Sequence, residues 1–176
     1  MPPTTTPSRP AFTLLELSVV VVLMGILGAA VIPAISTISA ARIPAAADAI
    51  AREIGVARQR AMNLGRSACA RVDASTGEIS LLELPVQGTT PVAMVDVLGQ
   101  QRVALVVGSV FPGVAVMSAQ GFDVTPGPAM LWFGADGVPE RRGVDGTLLG
   151  LAAQDAIVEL TDVVQVRVHA STGMIE

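Results

Sequence analysis

The sequence has no tyrosine and no lysine, and only one histidine, one cysteine and one tryptophan. A single thiol, Cys69, can form neither an intrachain disulfide nor a cysteine-built metal cluster. A single imidazole, His169, in a chain without a Gly-x-Ser-x-Gly elbow offers no nucleophile–base–acid set, so no enzyme chemistry is expected. Asp123, Asp136, Asp145 and Asp155 are not spaced as a calcium loop, and no metal or other cofactor is expected. Without lysine, all 11 basic residues are arginines, set against 15 acidic residues for a net charge of −4, and they form no basic block. That pattern speaks against a nucleic-acid surface. Aromatics make up only 3% of the chain, so a core must rest on Val, Leu, Ile and Ala. Cys69 and Trp132 are expected inside it.

Apolar residues are in excess, at 51% of the chain, with a mean hydropathy of +0.61. The 176 residues allow one modest domain beyond an N-terminal segment. Residues 1–11 are polar and rich in Pro and Thr, with one charge, Arg9. An apolar run then begins at Phe12, and from Leu17 to Ala41 no residue is charged. As a helix that stretch extends about 37 Å, enough to cross a hydrocarbon core of about 30 Å. It is too long for the apolar region of a secretory signal, and a buried helix of a soluble domain rarely runs so far without a charge. A plain membrane anchor is one reading. Glu16, at the start of the run, is the residue that tests it, because a charge at mid-bilayer costs at least about 2.5–3.5 kcal/mol. Either its carboxylate snorkels to the headgroups, or it has a partner cation. A cut between Ala11 and Phe12 would supply one, the α-amine of Phe12, one helical turn from Glu16.

A small residue, then Phe12-Thr-Leu-Leu-Glu16, then a long apolar helix resembles the type IV prepilins and the pseudopilins of type II secretion. The resemblance implies that a prepilin peptidase cuts between Ala11 and Phe12 and methylates the new Phe12 amine. It implies that Glu16 of one subunit meets the Phe12 amine of a neighbour, offsetting desolvation and setting axial register in a filament. Pro33 matches a proline common in that family's helix, and a kink or locally melted turn is expected there. The family usually has Gly before the cut; this chain has Ala11.

Past Arg42-Ile43-Pro44 the pattern changes. Ile43, Ala47, Ile50, Ile54, Ala57, Ala61 and Leu64 form one apolar stripe at helical spacing. Pro44 suits a first turn and Gly65 a C-cap, while Arg58, Arg60 and Arg66 complement the helix dipole. The stripe is too short for a coiled coil and predicts a helix lying on its own domain's sheet.

From Arg66 onward, short apolar segments alternate with Gly, Pro, Asp and Ser clusters. Strands are predicted at 68–72, 79–84, 92–97, 103–107, 114–118, 130–133, 148–152, 156–160 and 163–168. Ala74-Ser-Thr-Gly77 and Ala170-Ser-Thr-Gly173 read as the same turn chemistry used twice, and Asp136-Gly137 as a third turn. Arg141-Arg142 reads as a solvated pair in a Gly-rich loop, and His169 as a strand histidine. The segments Ala57-Arg-Gln-Arg-Ala61 and Met130-Leu-Trp-Phe-Gly-Ala-Asp-Gly137, with the final Val166-to-Gly173 stretch, resemble the GspH/FimT group of minor pseudopilins and pilins. No calcium-binding C-terminal loop like that of major pseudopilins is evident.

The fold expected is α+β and pilin-like: a long N-terminal helix, half transmembrane and half amphipathic, packed on a C-terminal antiparallel sheet domain. Residues 1–11 would be the leader, 12–41 the membrane and filament-core helix, 42–65 the amphipathic helix and 66–176 a periplasmic β-rich domain. The resemblance implies a minor pseudopilin at the tip of a periplasmic pseudopilus, held in the bacterial inner membrane by a single pass. Its partners would be other minor and major pseudopilins, the prepilin peptidase and the inner-membrane secretion platform. A FimT-like minor type IV pilin for pilus assembly or DNA uptake is the alternative. It would need arginines such as Arg58, Arg60 and Arg66 gathered to meet phosphates. A membrane-anchored periplasmic binding domain, with no filament role, is the alternative from another class.

Overall fold

The computed structural model describes residues 13–87, 90–96, 98–122, 127–143 and 145–176, with backbone only for 28–40. A helix, α1, runs from Leu14 to Leu64. The chain divides into two units, residues 1–39 and 40–176.

In the first unit, the helix opens with apolar side chains from Leu14 to Leu27, and all of them are exposed. Most are between 45% and 86% accessible, including Leu14, Val20, Met24 and Leu27. Four consecutive valines, Val19 to Val22, lie in this stretch. β-Branched residues are mediocre helix formers in water, so propensity alone does not account for the helix here. No helix is long and apolar enough among the described residues to cross a membrane. Side chains of the segment expected to do so are described only as far as Leu27. The helical backbone continues through Pro33 and Pro44. Pro44 therefore does not open a new helix, and the alanines beside it, Ala40, Ala41 and Ala45 to Ala47, are strong helix formers.

The second unit begins on the same helix. Ala46, Ile50, Ile54, Ala57 and Ala61 are fully buried in the core, and Ile43 and Ala47 pack beside it. This is the predicted stripe with Ala46 added to it and with Leu64 38% exposed at its end. Gly65 ends the helix with φ +63°, and the Arg66 N–H donates to the Ala61 carbonyl at 3.2 Å. That is a left-handed C-cap of the kind glycine allows.

Ten strands follow among the described residues: β1 (Ala68–Asp73), β2 (Glu78–Glu83), β3 (Val92–Ala93), β4 (Leu105–Val106), β5 (Val116–Gln120), β6 (Ala129–Phe133), β7 (Pro139–Arg142), β8 (Leu148–Leu151), β9 (Ala156–Leu160) and β10 (Gln165–Val168). A short helix, α2 (Val107–Val110), follows β4. The large sheet has the order β3-β2-β1-β6-β7-β8, with β4 also on β2; the smaller has the order β10-β9-β5. Every strand pair is antiparallel.

Alternation along the strands sorts their side chains. Ala68, Ala70 and Val72 of β1, Leu131 and Phe133 of β6, and Val158 and Leu160 of β9 join the helix stripe in one core. Cys69, Met130 and Trp132 take the other face of the large sheet, with Leu82 and Leu84 packed against them. Alanine at Ala57, Ala61, Ala68 and Ala70 keeps the helix-facing layer thin, and Phe122 and Phe133 fill it edge-to-face at 5.9 Å. The architecture is thus α+β, a helix packed on an antiparallel sheet.

Differences from the predicted strands have local causes. The 103–107 segment gives a two-residue strand and then α2, because Val107 turns into the core. The 163–168 strand begins only at Gln165, after a turn at Thr161–Val163. β7 was not predicted: Glu140-Arg-Arg142 looks like solvated loop, yet it is a strand.

Candidate assembly site at the helix N-terminus

Helix α1 begins with orphan backbone donors in its first turn. Thr13 and Glu16 meet that need reciprocally. The Glu16 N–H donates to the Thr13 Oγ1 at 3.3 Å, and the Thr13 N–H donates to Glu16 Oε2 at 3.0 Å. The Thr13 hydroxyl also donates to Oε2, at 3.1 Å. This is a capping box, and its Thr-x-x-Glu spacing stands in the sequence as Thr13-Leu-Leu-Glu16. Thr13, the residue that caps the helix with Glu16, is thus a site residue beyond those expected from the sequence.

The box fixes where the carboxylate points. Oε2 is held back toward the chain entering the helix, while Oε1 carries no hydrogen bond among the described residues. Glu16 is the only ionisable residue between Leu14 and Leu27, where every side chain is exposed. Its negative charge also lies at the positive end of the helix dipole. Ala11 and Phe12, expected at a cleavage and methylation site, lie outside the described residues. Pro33 lies within the helical backbone.

The second unit commits its arginines internally. Arg58 donates through Nε to the Gly137 carbonyl at 3.1 Å and through Nη2 to the Thr172 carbonyl at 2.9 Å. It thereby ties α1 to two turns, Gly134–Val138 and Ala170–Gly173. A Cβ on Gly173 would stand 2.8 Å from the Gly137 oxygen, so both turns need glycine for close approach as well as for positive φ. Arg60 and Arg66 both pair with Glu83, at 2.9 and 3.2 Å, and Glu83 is only 6% exposed. Arg102 pairs with Glu53 at 2.9 Å. The cluster Arg58, Arg60 and Arg66 that a phosphate-binding face would require is therefore spent on holding helix to sheet.

Arg142 is not solvated as the sequence suggested. Its guanidinium donates to Glu140 Oε2 at 2.7 Å, to the Ser67 hydroxyl at 2.9 Å and to the Gly146 carbonyl at 2.7 Å. It also stands 6.0 Å from the Trp132 ring centre, a cation–π approach. Pairing Glu140 with Trp132 across β6 and β7 brings these groups together. His169 lies between two carboxylates, with Nδ1 3.3 Å from Asp155 and Nε2 3.3 Å from Glu176. The acids flank opposite ring nitrogens, so they cannot ligate one metal ion with it, and no metal-binding cluster occurs among the described residues. No serine hydroxyl donates to His169 among the described residues. Asp73 and Asp145 have carboxyls held below the ordinary aspartate range, chiefly by the hydroxyls and then the backbone N–H groups of Ser75 and Thr147. A depression of about 140 Å³ beside the β1–β2 turn, lined by Ser75, Gly108 and Val116, is smaller than an ordinary small-molecule site.

No family model matches the chain, and no curated protein matches it. Among solved structures, the chain is similar to the minor pseudopilin EpsH from the type 2 secretion system of Vibrio cholerae, at 13% identity and a TM-score of 0.48. The match covers 74% of this chain and 90% of that one.

Proposed function

We propose that the chain is a minor pseudopilin of a type II secretion system, made as a prepilin. It is cut between Ala11 and Phe12, stored in the inner membrane by its N-terminal helix, and assembled at the tip of a periplasmic filament. The observation that carries this reading is Glu16 as the one ionisable residue in an exposed apolar helical stretch, Leu14–Leu27, which begins two residues after Phe12. Such a stretch needs either lipid or other helices around it. The capping box leaves one carboxylate oxygen for a cation from outside the subunit, and a neighbour's Phe12 amine fits. Its partners in this reading are other minor and major pseudopilins, the prepilin peptidase and the inner-membrane platform.

Co-expression with a prepilin peptidase tests the first step. The intact mass is expected to fall by residues 1–11 and rise by one methyl group; an unchanged mass would overturn the proposal. Glu16→Ala is expected to insert normally, leave the filament and stop secretion. Normal secretion by that variant would favour a plain anchored domain instead. Deletion that spares secretion but stops twitching or DNA uptake would move the protein to a type IV pilus.

A further inference from the structure

The sequence holds a second charge-free run. From Val103 to Phe122 no residue is charged, and β4, α2 and β5 are made from it. Val107, Val114 and Val116 turn into the core. Val110, Pro112 and Gly113, at the end of α2, stay exposed. Val110 is 55% accessible. Little at this tip calls for water. The Phe111 N–H donates to the Val107 carbonyl at 2.8 Å, and the Val114 N–H to the Phe111 carbonyl at 3.0 Å. The Ser109 hydroxyl donates to the Val106 carbonyl at 2.8 Å. Pro112 has no N–H, and its carbonyl accepts from Arg42 Nη1 at 3.1 Å.

We propose that the tip of α2, Val110 to Gly113, is a lipid-contact site that lies in the headgroup layer of a phospholipid bilayer. Arg42 sets its depth. It is the first charged residue after the run from Leu17 to Ala41. As a helix that run is about 37 Å long, against a hydrocarbon core of about 30 Å, so the excess is about one headgroup layer and Arg42 falls within it. The hydrogen bond to Pro112 holds the α2 tip at the same level. Both residues belong to the second unit, so the placement follows from that bond and not from the direction of the helix before it. The inference rests on storage of the N-terminal helix in a membrane.

The chemistry of the tip selects lipid. A surface without charge and with its polar groups paired suits the boundary between headgroups and acyl chains, where unsatisfied backbone groups are costly. A protein partner ordinarily takes about one hydrogen bond for each 100–200 Å² it covers, and this tip has few to give. Arg42 Nε and Nη2 carry no hydrogen bond among the described residues, which leaves them for a lipid phosphate. Asp73 and Glu78 bound the β1–β2 turn, whose Gly77 carbonyl accepts from the Val107 N–H at the start of α2. Those carboxylates favour a zwitterionic surface over an anionic one.

The test uses the full chain in phosphatidylcholine nanodiscs, with a bimane fluorophore on an introduced cysteine and nitroxide-bearing lipids as quenchers. Cys69 is fully buried and shielded from the label. The label goes in turn to Val110→Cys, to Leu149→Cys on β8, and to Val22→Cys in the apolar run. An unchanged thermal midpoint certifies the fold of each variant. A nitroxide at headgroup depth is expected to quench the Val110 label at least about twofold more than the Leu149 label, because an interfacial residue sits within about 5–10 Å of it. A nitroxide deep in the acyl chains is expected to quench the Val22 label. Equal quenching at Val110 and Leu149, with Val22 quenched, would overturn the inference and leave membrane storage standing. No quenching at Val22 would overturn membrane storage and this inference with it.

Discussion

Val163 has φ +63° and stands 73% exposed at the β9–β10 turn, directly after Asp162 at φ +62°. Two successive left-handed residues suit Asn-Gly or Asp-Gly; a β-branched side chain in the second place is strained. Val163→Gly is expected to raise the unfolding free energy by about 1 kcal/mol, read as a higher denaturant midpoint with an unchanged slope. Asp73 offers a test of opposite sign. Its folded pKa lies below the ordinary 3.8 because the Ser75 hydroxyl and N–H donate to it. A lowered carboxylate pKa stabilises the fold above the unfolded value, and that stability is lost as pH falls through the folded value. Ser75→Ala is therefore expected to raise the Asp73 midpoint in a carboxyl NMR titration. It should weaken the fold at neutral pH, with the difference from the parent fading in strong acid.

At the scale of elements, burial separates residues that the sequence groups together. Ile54, fully buried on α1, and Leu64, half-exposed at its end, belong to the same stripe. Ile54→Ala is expected to cost about 2–4 kcal/mol. Leu64→Ala should cost about 0.5 kcal/mol or less, as surface changes do. The helix stripe, the paired Ser-Thr-Gly turns and strands β1, β2, β6, β8 and β9 were legible because each rests on local signals: period, glycine and alternation. Gly77 and Gly173 close identical turns, each donating at 2.8 Å to a carbonyl four residues back, from Asp73 and His169. β7 was not legible, because Glu140 and Arg142 bury their charges in a contact with Ser67, far away in the chain. Likewise the partners of Arg58, Arg60 and Arg66 lie on other elements, so sequence suggested a role at the helix dipole and a possible phosphate face. The capping box is local, and its Thr-x-x-Glu spacing stands in the sequence as Thr13-Leu-Leu-Glu16.

For the whole molecule, the chain divides into residues 1–39 and 40–176. The second unit has its own core, drawn from α1 and both sheets. A chain of residues 40–176 is expected to stay soluble without detergent and to unfold in one cooperative transition, followed by circular dichroism against denaturant. The full chain is expected to need detergent, because the Leu14–Leu27 side chains are exposed. A 40–176 chain that is molten or insoluble would show that the domain depends on the helix before it.

Trp132 is the only tryptophan, and the chain has no tyrosine. It is fully buried, on the sheet face turned away from the α1 stripe, beneath Arg142. Fluorescence excited at long ultraviolet wavelengths therefore comes from a single point on that face. A native emission maximum shifted to the blue would report that layer alone. If α1 peeled from its side while the sheets held, ellipticity would change and the emission would stay still. Disagreement between the two signals would then mark a partly open domain, which a protein with several indoles would blur.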